Sequence, residues 1–161
     1  MGRIYAVPYQ GTITNAGGDS DLLEILPADD KPCKLRGWSI GQTSEVGDAA
    51  EEGVRISVIR LPATVTSGSG GSAVTPVALD SANAAAGFAA ECNNTTVATT
   101  SSSAVVVSEH AWNERASPWD FWYPDERFCP KVKQGEGLVV RLQTTIADDL
   151  SGCVTFWVEE E

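Results

Sequence analysis

Alternation of apolar and polar positions at a period of two dominates this chain, and the helical period is nearly missing. Residues 4–14 are rich in β-branched and aromatic side chains, and 22–26 form a short apolar run. In 33–40, Cys33, Leu35, Trp38 and Ile40 point to a core, and Gly37 marks a bulge where the alternation slips. In 54–61, Val54, Ile56 and Val58 share one side while Arg55 and Ser57 take the other. The run 104–112 carries Val105, Val106 and Val107, an apolar patch on both sides. Further strands follow at 138–142 and 152–158. In the last, Cys153, Thr155 and Trp157 share one face and Val154, Phe156 and Val158 the other. That suits a strand between the core and a contact with another subunit. At least seven strands punctuated by Gly, Pro, Asp and Ser predict one all-β domain over residues 1–161. Its architecture is expected to be an antiparallel β-sandwich or jelly-roll-like barrel.

The middle third breaks this pattern. Residues 64–103 are mostly Ala, Ser, Thr, Gly and Asn, with Leu79 and Phe88 as rare large apolar groups. Such a composition buries little surface by itself, and a structureless stretch of this length is unusual inside a compact domain. The segment reads as a long low-complexity loop or arm that orders against a partner or stays mobile. Within it the Ser/Gly tract 64–72 reads as flexible. Its Gly68, Gly70 and Gly71 lack the strand–turn–helix setting of a phosphate-binding loop. Two windows with helical character, 46–52 and 84–91, are short and bounded or interrupted by Gly, below the length an independent helix needs.

Acidic residues outnumber basic ones 22 to 11, for a net charge of −11. Such a field repels phosphate backbones and anionic lipid, so neither nucleic acid nor a membrane surface is an expected partner. No apolar run approaches the roughly 18 residues of a membrane-spanning helix. The first residues lack the basic stretch and apolar core of a secretory signal, and Ala6 stands where a myristoylation site has Ser or Thr. Asn93 and Asn94 each head a glycosylation sequon, read as chance without such a signal. The four cysteines, Cys33, Cys92, Cys129 and Cys153, are 59, 37 and 24 residues apart. That spacing argues against a zinc site and leaves buried free thiols or two disulfides; a reducing compartment favours the thiols.

Candidate chemistry is sparse. A nucleophilic Ser or Cys needs a base beside it. The one histidine, His110, lies in a strand-like run next to Glu109, and no strained G-x-S-x-G turn is there to use it. It reads as a structural or surface residue. Carboxylates such as Asp19, Asp21, Glu24, Asp148 and Asp149 fall in polar, turn-like clusters. There they are expected to be solvated rather than tuned as the pair a glycosidase requires. Asp19, Asp21 and Glu24 also lack the Gly and Glu positions of an EF-hand loop. No catalytic residue, metal or cofactor is expected. The densest aromatic patch joins Trp112 to Trp119, Phe121, Trp122 and Tyr123. Bounded by Pro118 and Pro124, 119–123 reads as a strand with Trp119, Phe121 and Tyr123 toward the core and Trp122 in a subunit contact. Exposed, the same rings would make a sugar-stacking platform. Trp119, Trp122, Tyr123 and Trp157 are the candidate contact residues.

Several segments complete the picture when taken together. The run 35–52 begins Leu35-Arg36-Gly37-Trp38-Ser39-Ile40-Gly41-Gln42 and leads into the strand at 54–60. The tract 66–76 follows, then His110-Ala111-Trp112-Asn113-Glu114-Arg115-Ala116, and Pro124-Asp125-Glu126-Arg127 ahead of 138–142. Over roughly residues 30–145 this resembles the small virion proteins of tailed bacteriophages of the head decoration, or capsid cement, type. The resemblance implies a β-rich, non-enzymatic homo-oligomer, often a trimer, assembled in the bacterial cytoplasm and carried on the capsid surface. Its partner would be the major capsid protein, whose neighbouring subunits it ties together, with 64–103 holding the arm that reaches a neighbour. The alternative is a tail-associated or carbohydrate-binding module using the aromatic platform.

Overall fold

The computed structural model describes residues 2–43, 53–115, 118–143 and 146–161; the window 46–52 lies outside them. In chain order the strands are β1 (Arg3–Ile13), β2 (Ser20–Leu26), β3 (Cys33–Gln42), β4 (Gly53–Leu61), β5 (Val65–Thr66), β6 (Ser72–Ala73) and β7 (Val77–Ala78). They continue with β8 (Ala89–Cys92), β9 (Thr99–Thr100), β10 (Val105–Asn113), β11 (Trp119–Trp122), β12 (Lys131–Val132), β13 (Gly137–Leu142) and β14 (Leu150–Glu160). One 3-10 turn, Glu126–Phe128, is capped by the Asp125 side chain, which accepts from the Arg127 amide. Each run predicted from alternation falls on one of the long strands. The window 84–91 is not helical; its end enters β8.

Two antiparallel sheets pack face to face. One has the order β11-β3-β14-β1-β7, with β12 also on β3; the other runs β10-β4-β13-β2-β8-β6. Leaving out β5 to β9 and β12, the eight remaining strands switch sheets at every connection except β4 to β10, which are antiparallel neighbours. This is the strand order of a double-sheet jelly roll, left open rather than closed into a barrel. The inner faces supply the core. Tyr5, Val7, Trp38 and Phe156 come from the first sheet and Leu23, Ile25, Ile56, Val58 and Val140 from the second, all essentially buried. The predicted face assignments of β4 and β14 hold. The bulge expected at Gly37 is present beside it: Gly37 pairs with Trp157 and Leu35 with Val158, so Arg36 is the extra residue.

The low-complexity segment is an insertion into the β4–β10 hairpin, and within it lie the short strands β5 to β9, each paired. The part around β5, β9 and Ala98 folds back as a third layer on the outer face of the second sheet, while β6 and β8 extend that sheet and β7 joins the first. Val65 and the buried Ala98 pack on Ile59, Leu61 and Val139, a small second core. β5 pairs β9, and β8 extends the second sheet beside β2. In the Ser/Gly tract, Ser69 and Thr96 exchange backbone hydrogen bonds at 2.9 and 3.0 Å. A β-carbon on Gly68 would fall 2.5 Å from the Thr96 carbonyl oxygen. The glycine is there for close approach, not for mobility.

Two acidic residues read as solvated turn residues hold this layer down. Asp21 and Glu24 lie on β2, 0% and 1% exposed. Asp21 accepts from the Arg141 guanidinium at 2.6 and 3.2 Å and from the Ala98 amide at 2.7 Å; Arg141 also donates to the Ala98 carbonyl at 2.8 Å. Glu24 accepts from the Ser67 hydroxyl, the Gly68 amide and the Asn94 side-chain amide at 2.8, 2.9 and 3.0 Å. A buried carboxylate is tolerated because its lone pairs are filled. Burial pushes the Asp21 carboxyl above its ordinary value, against the pull of Arg141.

Candidate functional site

His110 stands on β10 with its ring toward the interior, edge-on to Trp38 at 5.2 Å and to Phe121 at 4.6 Å. Its Nε2 lies 3.0 Å from the Ser108 hydroxyl, which is 3.2 Å from the Tyr123 hydroxyl. Burial lowers its pKa below 6.5, with Glu109 pulling the other way. The imidazole is thus a neutral member of an aromatic cluster, held by its neighbours. Among the described residues no group of three His, Cys, Asp or Glu side chains is arranged to hold a metal ion.

A shallow hollow is lined by Gly2, Glu126, Glu159 and Glu161, and its acids are already engaged. Arg36 pairs with Glu159 at 3.1 Å, Lys34 with both Glu126 and Glu161, and Lys131 with Glu161. Hydrogen bonds from Lys131 and Lys34 hold the Glu161 carboxyl below its ordinary value. Ions paired this way fasten the end of β14 to β3.

The cysteines are free thiols. Cys33, Cys92 and Cys129 are buried, whereas Cys153 is exposed on the outer face of β14, where alternation places it. Burial pushes the Cys33 and Cys92 thiols up to about 12, which makes them inert.

The aromatic residues separate. Trp119, Phe121 and Tyr123 on the β11 side pack onto the core around Trp38; Trp38 and Phe121 stack at 4.5 Å. Trp119 and Tyr123 therefore face inward, and the candidate contact narrows to Trp122 and Trp157. These two rings stack at 4.4 Å and 25° on the outside of the first sheet, with Trp122 54% exposed. Trp122 lies over Gly37: a β-carbon there would meet the Phe121 carbonyl at 2.3 Å and the Trp122 ring at 3.1 Å. A bare glycine under an indole is the aromatic cover of a strand glycine.

Register shows what surrounds the pair. Trp122, Gly37, Trp157, Ala6 and Val77 form one row across β11, β3, β14, β1 and β7. Asp120, Ser39, Thr155 and Pro8 form the next row, and Gly41, Cys153 and Gln10 a third. Asp120 is the only charge in these three rows, on a chain with 33 charged residues and a net charge of −11. Sequence reasoning found Trp122 and Trp157 but missed the partners of the face, Ala6, Pro8 and Val77. For Ala6 and Pro8 the signal was the alternation itself, since both are out of phase with the buried Tyr5 and Val7; Val77 reaches the face only through the pairing of β7 with β1.

No protein-family model, curated protein or solved structure matches this chain.

Proposed function

We propose that this chain is a non-enzymatic structural protein of a tailed-phage virion, a decoration protein that binds the outer surface of the head. The observation that carries the reading is the broad neutral face of the first sheet, centred on Trp122 and Trp157. An acidic protein binds a large partner where it presents few carboxylates, here Asp120 alone across the three rows, and apolar or aromatic anchors supply the energy of such a contact. The net charge of −11 keeps the free protein soluble before assembly. Jelly rolls build viral shells and lectins alike, so the fold is compatible with the reading without selecting it.

A tail-associated carbohydrate binder is the second reading, and the exposed Trp122 ring favours it. Stacking a sugar needs a free ring face, and here Trp122 and Trp157 each give one face to the other. Trp119 and Tyr123 contribute none, being turned to the core.

Cosedimentation with purified mature heads tests the proposal. Saturable binding at a fixed ratio to the coat protein, weakened about tenfold or more by Trp122→Ala, is the expected result. Failure to bind heads, with glycan-array binding that Trp122→Ala abolishes, would replace it with the second reading.

A further inference from the structure

Large apolar side chains are rare in residues 64–103, and several of them turn inward. Phe88 is buried, Val65 packs on the small second core and Val74 on the main one. Val77 and Leu79 do the opposite, at 53% and 59% exposed. Register places both. Val77 lies opposite Ala6 on β1, and the Leu79 amide donates to the Ile4 carbonyl at 3.1 Å, which sets Leu79 opposite Ile4. Between them Ala78 packs against the core, so Val77 and Leu79 stand on the outer face. Ile4, out of phase with the buried Tyr5, stands there too and is 37% exposed. These three form an aliphatic corner at one edge of the first sheet. The row Trp122, Gly37, Trp157, Ala6, Val77 joins it to the tryptophans and holds no charged residue. Beside Ile4 on β14 is Glu159, 7% exposed, whose carboxylate accepts from the Gly2 amide and the Arg36 guanidinium, each at 3.1 Å.

We infer, building on the head-binding reading above, that this corner is a second anchor for the partner of the tryptophan pair. The insertion then contributes Val77 and Leu79 to the contact, and β1 contributes Ile4. Two tryptophans bury at most about 500 Å² between them, whereas a specific contact buries about 800 Å² on each partner. The contact therefore extends past the pair, and the uncharged row leads through Ala6 to the corner. Four strand spacings of about 4.8 Å set Trp122 and Val77 about 19 Å apart. The occupant is a protein surface at least that broad, as a coat lattice is and a single sugar ring is not. A second copy of this chain brings another −11 and meets like charge. Anchors at both ends of one row also fix the rotation of the protein on its partner, which one stacked pair leaves free.

Cosedimentation of the full chain with purified mature heads tests this, using the wild type, Trp122→Ala and the double variant Val77→Thr/Leu79→Thr. Threonine suits a strand at an exposed position, so the double variant melts as the wild type does. Its binding to heads is weakened about tenfold. Hydroxyl-radical footprinting of the wild-type chain on heads reads the corner without any substitution: Ile4 and Leu79 are shielded together with Trp122. A double variant that binds as the wild type does, or Ile4 and Leu79 side chains that oxidise as fast on heads as in free solution, would overturn the second anchor. A Trp122→Ala defect in that same experiment would leave the head-binding reading standing. A wild type that does not bind heads would overturn both.

Discussion

Asp21 and Arg141 form the pair on which the third layer depends most. Their ions are out of water, so their attraction is offset by desolvation and the pair is weak evidence of net stabilisation. Breaking it from one side is another matter, because the remaining carboxylate keeps only the Ala98 amide. Arg141→Met is predicted to lower stability by about 3–5 kcal/mol in urea unfolding, and the double variant Asp21→Asn/Arg141→Met to recover a good part of that. A loss equal in both would mean that packing, not charge, is at stake. His110 gives a prediction in pH. Its folded pKa is depressed by burial, so above 6.5 the ring is neutral in both states and its contribution is fully present. As the pH falls below 6.5 the unfolded chain takes up a proton before the folded one does, and stability is lost until the folded ring also titrates. Thermal melts between pH 7 and 5 are expected to show a steeper loss for the wild type than for His110→Phe. Parallel curves would exclude a buried neutral imidazole.

At the scale of elements, the insertion between β4 and β10 shows what alternation can and cannot reveal. Most long strands were legible because apolar residues recur at every second position over part of their length, as Val54, Ile56 and Val58 do. The insertion was not, because its contribution is made by backbone groups and small side chains. The Gly68 amide, the Ala98 amide and the Ser67 hydroxyl leave no periodic trace. Their partners are far away in sequence: Asp21 is 77 residues from Ala98, and Glu24 is 43 from Ser67. Within 20–26, Asp21 and Glu24 looked like interruptions of an apolar run when they were its outward face. The strand sites of Trp122 and Trp157 were readable from phase, but their stacking was not, since it needs the register of β11, β3 and β14. Glu24→Ala is predicted to cost about 1–3 kcal/mol, because it strips three donors of their acceptor in a buried place. Hydrogen exchange should locate the effect: the amides of Gly68, Ser69 and Thr96 lose protection while those of β14 keep theirs. Uniform loss over both would show that the layer and the sandwich are one cooperative unit.

For the whole molecule, charge and shape divide the surface by task. The net charge of −11 keeps copies apart. Across the three rows around Trp122 and Trp157 the first sheet's outer face carries a single acid, Asp120. The central claim is that the neutral face grips a phage head. The measurement that tests it most directly is the heat resistance of heads stripped of this protein and then given it back. Heads saturated with the wild-type chain are predicted to release DNA at a higher temperature than stripped heads, and those offered Trp122→Ala at an intermediate one. Identical release temperatures for stripped and saturated heads would contradict the account.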